Sequence, residues 1–74
     1  MKTTLDLQSI ISSGGSVVVD AGRKTTLDLK SLAIAAKISG TTLILKNASR
    51  KTTLDCKVIA TAGGKGTVIF DFSE

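Results

Sequence analysis

Proline, histidine, tryptophan and tyrosine are absent from this chain of 74 residues, which has one cysteine and two phenylalanines. The single cysteine, Cys56, excludes an internal disulfide, and without histidine the usual thiolate and imidazole ligands of a zinc site cannot be assembled. The core has to be aliphatic. Since no nucleophile stands beside a recognisable base, we predict that the protein is not an enzyme and has no cofactor.

Long apolar runs are also missing, which excludes a transmembrane helix and predicts no membrane partner. The N-terminus lacks the basic region and apolar core of a secretory signal, so we expect a cytoplasmic protein. Ten Lys and Arg residues against six Asp and Glu residues give a net charge of +4. That charge favours a weak attraction to a polyanion.

The segment KTTLD is present three times, opening at residues 2, 24 and 51, so the copies are 22 and 27 residues apart. A period in this range is typical of repeat architectures. We therefore predict a single repeat domain over residues 1–74, with units at about 2–23, 24–50 and 51–74. The near-identical copies and the absence of proline are consistent with recent duplication or with engineering.

Each unit carries the signals of a helix followed by a strand. Thr-Thr-Leu-Asp resembles a helix capping box, and glycines at 14–15, 40 and 63–64 follow each apolar stretch as helix ends do. Apolar residues then recur with helical spacing, in one register for all three units. The positions of that register are Leu7, Ile10, Ile11 and Gly14, then Leu29, Leu32, Ala33 and Ala36, then Cys56, Ile59, Ala60 and Gly63.

Contiguous β-branched residues follow each glycine and predict strands covered on both faces, as in parallel sheets. The fold class is then α/β, with three αβ repeat units and a small parallel sheet whose crossovers are right-handed. Helices on one face would leave the other face bare, and we expect a second subunit to cover it. The residues expected near that self-associating layer are Val17, Val19, Leu43, Leu45, Val68 and Phe70.

An alternative interpretation is all-β. Leu27–Lys30 and residues 54–58 alternate apolar and polar side chains, which is strand spacing. On this interpretation the chain forms a short β-solenoid of three coils, or a set of hairpin repeats.

Two function classes follow from these patterns. The first is a non-enzymatic structural or assembly module that forms a homo-oligomer through its bare sheet face or its uncapped ends. The second is an anion- or nucleic-acid-binding module, because the repeated Arg-Lys-Thr-Thr loops would place cations beside helix N-termini. Its candidate residues are Arg23, Lys24, Arg50 and Lys51, for which solvated loop residues that recur through duplication are the simpler explanation.

Other candidates have simpler explanations. The segment Gly63–Thr67 lacks the spacing of a phosphate-binding P-loop and is better explained as a helix end and turn. Asp6, Asp28 and Asp55 occupy the capping box, where no chemistry is needed to account for them. Cys56 replaces the leucines of the other units, which predicts a buried core thiol.

Overall fold

Helices and strands alternate along the chain in the computed structural model, which describes residues 2–73. The predicted α/β class is confirmed. The all-β alternatives are wrong, because each KTTLD segment enters a helix. The elements are α1 (Thr4–Ser12), β1 (Val17–Asp20), α2 (Thr26–Ser39), β2 (Leu43–Lys46), α3 (Thr53–Gly63) and β3 (Val68–Phe70). Two short 3₁₀ turns, at Ala21–Arg23 and Ala48–Arg50, link β1 to α2 and β2 to α3.

The three strands form one parallel sheet in the order β1-β2-β3. Val17 is paired with Leu43, and Leu43 with Val68, so equivalent strand positions lie side by side across the units. The helices pack against their sequence neighbours, α1 on α2 and α2 on α3. Strand order and helix order therefore both follow the chain, as in a stack of three units.

Threonine caps begin all three helices. The Oγ1 atoms of Thr3, Thr25 and Thr52 each accept a hydrogen bond of 3.1 Å from the backbone N–H three residues later. The donors are the aspartates of the repeat. Only this half of the capping box is formed among residues 2–73. The aspartate carboxylates are nevertheless favoured in the first turn, where the helix dipole attracts a negative charge.

The predicted helical register is confirmed most fully in α2, whose four apolar positions are fully buried in the core. In α1 the helix ends at Ser12, so Gly14 lies beyond it with a left-handed φ of 102°. Ile10 is 41% exposed, whereas the equivalent Leu32 and Ile59 are completely buried. The register is thus common to the units, but burial depends on whether a neighbouring unit is present.

The helices are short compared with the thickness of a bilayer. The longest of the helices, α2, has 14 residues. Because a bilayer core requires about 20 apolar residues, no helix within residues 2–73 qualifies as a membrane span.

Candidate functional site

The two 3₁₀ turns lie side by side at the carboxyl edge of the sheet. Each follows a strand and leads into a helix, which is where the sequence placed the Arg-Lys-Thr-Thr loops. A Cβ atom built on Gly22 would lie 3.3 Å from Cγ of Arg50, so the Arg50 stem passes directly over Gly22. The fold therefore brings the four predicted anion-binding residues to one region.

The two lysines of this set hold neighbouring units together. The Lys51 ammonium donates to the Lys24 carbonyl at 2.8 Å. The Lys24 ammonium in turn donates to the Lys2 carbonyl at 3.3 Å and to Oγ1 of Thr4 at 3.0 Å. We call Lys2, Lys24 and Lys51 the lysine ladder, since each later lysine reaches back by one unit. Both ammonium groups are partly buried by these contacts and are committed to internal acceptors.

The two arginines remain outside the ladder. Arg23 has a side chain that is 67% exposed, and its Nε lies 4.0 Å from the carboxylate of Asp20. A hydrogen bond from the Asn47 side chain, then the Gly22 backbone N–H and the charges of Lys46 and Arg23, lower the pKa of Asp20 below its usual value. This carboxylate offsets part of the positive charge of the loops.

The six residues expected in a self-associating layer lie on the side of the sheet that faces the helices. Val19, Leu43 and Leu45 are buried in the core of a single chain, and Val17, Val68 and Phe70 pack against it. The intervening residues form the opposite face, because side chains alternate along a strand. We call Val18, Ile44 and Ile69 the bare sheet face; they share one register row, with Val18 59% and Ile69 50% exposed.

The ends of the stack expose positions that the middle unit buries. At one repeat position, Ile10 is 41% exposed in the first unit, whereas Leu32 and Ile59 have no exposed surface. At the next position along the helix, the side chain of the last unit is the less buried one, rather than that of the first unit. Ile11 and Ala33 are fully buried, and Ala60 in the last unit is partly exposed. Within residues 2–73, no unit lies before α1 to cover Ile10, and none lies after α3 to cover Ala60.

A groove of about 650 Å³ runs between α2 and α3 on the outer surface. Apolar side chains and lysine side chains line it together. They include Ile34, Leu54, Val58, Lys30, Lys37 and Lys57. No sequence pattern predicts this groove, because its residues come from two helices whose packing angle no local pattern encodes. The exposed Leu54 repeats at Leu5 and Leu27, and this recurrence was the one available signal.

The remaining candidates have the following surroundings. Among residues 2–73 no group of three or more Cys, Asp or Glu side chains is placed to hold a metal ion. Cys56 is buried, and desolvation followed by the charge of Asp55 raises the pKa of its thiol. A Cβ atom on Gly63 would lie 2.7 Å from Cγ2 of Val68. Because Gly63 has no side chain, α3 can pack close to β3 at this position.

Comparison with known proteins found no family model, no curated protein and no solved structure that matches this chain.

Proposed function

We propose that this protein is a non-enzymatic assembly module that self-associates. One observation carries the proposal: positions that are fully buried in the middle unit lose cover at the two ends of the stack, where Ile10 is 41% exposed and Ala60 is partly exposed. Repeat proteins that stay monomeric normally carry terminal units with polar outer faces. Here Ile10 and Ala60 occupy those outer positions with apolar side chains.

Covering the exposed ends would stabilise the chain. Complete burial of an isoleucine side chain contributes about 1.5–3 kcal/mol, so covering the exposed part of Ile10 contributes on the order of 1 kcal/mol. A chain of this size has a small core and gains from association. Since Cys56 is the only cysteine, no internal disulfide supplies that stability instead.

Sedimentation velocity and light scattering over a wide concentration range test this function. We expect the average mass to rise with concentration and the far-ultraviolet circular dichroism spectrum to stay unchanged. A chain that remains a monomer from micromolar to millimolar concentration would refute self-association. High salt should not abolish the association, because the contact is mainly apolar.

A second candidate function is anion binding, for which we propose the α2–α3 groove in addition to the predicted loops. Apolar side chains and three lysines line the groove together, which suits an amphipathic anion such as a fatty acid. The loop lysines, in contrast, are held by carbonyl groups. Laurate titrated by calorimetry is the probe. Replacing Lys30, Lys37 and Lys57 by Gln should abolish binding, and replacing Arg23 and Arg50 by Gln should not.

A further inference from the structure

We propose that copies of this chain associate end to end, with β3 of one copy pairing in parallel with β1 of the next. This inference rests on the proposed self-association and names its geometry. The junction would repeat the contact that already joins the units within one chain, so a second copy takes the place of a fourth unit. The backbone hydrogen bonds of the sheet, the lysine ladder and the uncovered helix positions each support the same direction of stacking.

At the start of each strand pair, an N–H of the earlier strand donates to a carbonyl beside the later strand. The Val17 N–H donates to the Thr42 carbonyl at 3.3 Å, and the Leu43 N–H donates to the Thr67 carbonyl at 3.0 Å. The equivalent donor in β3 is the Val68 N–H. It points to the open edge, because the N–H of Asp71, an odd number of residues away, donates to β2 through Leu45. The matching acceptor in a following copy is the carbonyl of its Ser16.

The same alternation of backbone groups along a strand leaves the Ser16 carbonyl available for this bond. Because Val17 directs its backbone groups to β2, those of Ser16 point to the opposite, open edge of β1. The outward N–H and C=O groups of β3 therefore face complementary outward C=O and N–H groups of β1 when two copies are stacked. Unpaired edge strands with this complementarity are templates for another chain.

The lysine ladder has the same polarity. Lys24 donates to the carbonyl of Lys2, and Lys51 donates to the carbonyl of Lys24. The next acceptor is the Lys51 carbonyl, which receives no hydrogen bond from any residue within 2–73. The donor that would reach it is Lys2 of the following copy, whose side chain is exposed. A second copy would thus extend the ladder by one step.

The helix positions are consistent with the same direction. Ala33 on α2 and Ile59 on α3 are both fully buried, and their equivalents at the two ends are Ala60, which is partly exposed, and Ile10, which is 41% exposed. Stacking would place Ala60 of one copy against the unit that contains Ile10 of the next, as the units of Ala33 and Ile59 are neighbours within one chain.

A contact between two different ends of the molecule is heterologous. It produces a closed ring or an open filament, according to the rotation between successive units. The bare sheet face is the rival surface, and it would produce a face-to-face dimer instead. Its three apolar side chains form a patch far smaller than the roughly 800 Å² per partner of a standard interface.

Two blocking variants and their mixture test the proposal. Ala60→Arg places a charge on the C-terminal end, and Ile10→Lys places one on the N-terminal end. Each variant alone should be monomeric, because every junction would contain one blocked end. An equimolar mixture should form a one-to-one dimer and nothing larger, because one junction of two intact ends is then available. Sedimentation velocity measures all three samples.

The matched control is Thr61→Arg, which adds the same charge one residue further along α3 on an exposed position. It should assemble like the unaltered chain. Circular dichroism confirms that each variant is folded; if Ala60→Arg is not, Ala60→Glu, which also charges the C-terminal end and leaves the N-terminal end intact, replaces it. Lys2→Met alone should weaken association about tenfold, as loss of a charge-assisted hydrogen bond does.

Three outcomes would overturn the end-to-end geometry. Association that survives both blocking variants, and is lost in the double variant Val18→Lys and Ile69→Lys, would assign the contact to the bare sheet face and leave self-association intact. Folded variants whose mixture stays monomeric would exclude a heterologous junction. An unaltered chain that never associates would refute both this inference and the proposed function.

Discussion

The Lys51 ammonium donates to the carbonyl of Lys24, 27 residues earlier in the chain, at 2.8 Å. This bond joins the starts of two successive units, and Lys24 makes the corresponding contact with the first unit. A residue that looked like a ligand-binding cation from its loop position therefore has an internal partner. Recurrence of the lysine is explained by unit stacking, which requires the same contact at each step.

Replacing Lys51 by Met should lower the free energy of unfolding by about 1–2 kcal/mol, because a partly buried hydrogen bond from a charged donor is lost. Urea denaturation measures the change. Lys65→Met is the control, because Lys65 is exposed and this substitution removes the same charge. Equal effects of the two substitutions would show that the ladder adds no stability.

Gly63→Ala should destabilise the chain by about 1–3 kcal/mol through overpacking, because the new methyl group would lie 2.7 Å from Cγ2 of Val68. Thermal denaturation measures the loss. Trimming the neighbour should reverse part of it, so the double variant with Val68→Ala is expected to be more stable than the two separate losses predict. Strict additivity of the two changes would contradict the close contact.

The low pKa of Asp20 predicts how the chain responds to acid. Because its pKa is lower in the folded state than in the unfolded chain, Asp20 contributes stability above the unfolded value of about 3.9. That contribution disappears as the pH falls through the lower folded-state pKa. Asp20→Asn, which keeps an acceptor for the Gly22 N–H, should therefore flatten the loss of stability below about pH 4. Urea midpoints measured across this range provide the test. An unchanged acid slope would contradict it.

Cys56 predicts a change at the alkaline end. Burial raises the pKa of its thiol, so the unfolded chain ionises first, near pH 8.5. Stability should therefore be complete below this pH and decrease as the pH rises through it, until the folded thiol also ionises. Cys56→Ala should remove that part of the slope. In the folded chain the thiol should also react slowly with a maleimide at neutral pH, and unfolding in urea should restore the rate.

Local chemistry made much of the fold predictable. The threonine caps at residues 3, 25 and 52 and the helical spacing after them depend only on neighbouring residues, and α2 follows that pattern throughout. Contiguous apolar strands predicted a parallel sheet for a similar reason, since crossover helices cover such strands. The sequence could not say which alternate residues face the helices, because both sets in these strands are apolar.

The loop after β2 is one residue longer than the loop after β1. Matching the loops pairs Asp20 with Asn47, but in the sheet Asp20 is paired with Lys46. Asn47 is an extra residue, and it adopts a left-handed φ of 57°. Asparagine tolerates this conformation better than most side chains, so the longer loop can still enter its 3₁₀ turn at Ala48. A backbone conformation of this kind depends on how the loop connects the strand to the helix, and comparison of the repeated sequences does not reveal it.

The sequence by itself determined that the units repeat and that each carries a helix cap and a helical spacing of apolar residues, because caps and periodicity act over a few residues. It did not decide between helix and strand for the KTTLD segments. Only the tertiary structure decided that Lys24 and Lys51 bind the preceding unit, that Val18, Ile44 and Ile69 form the bare face, and that Ile10 and Ala60 are left uncovered. These outcomes depend on which unit lies beside which. Contacts across 20 or more residues are set by packing, and no local pattern records them.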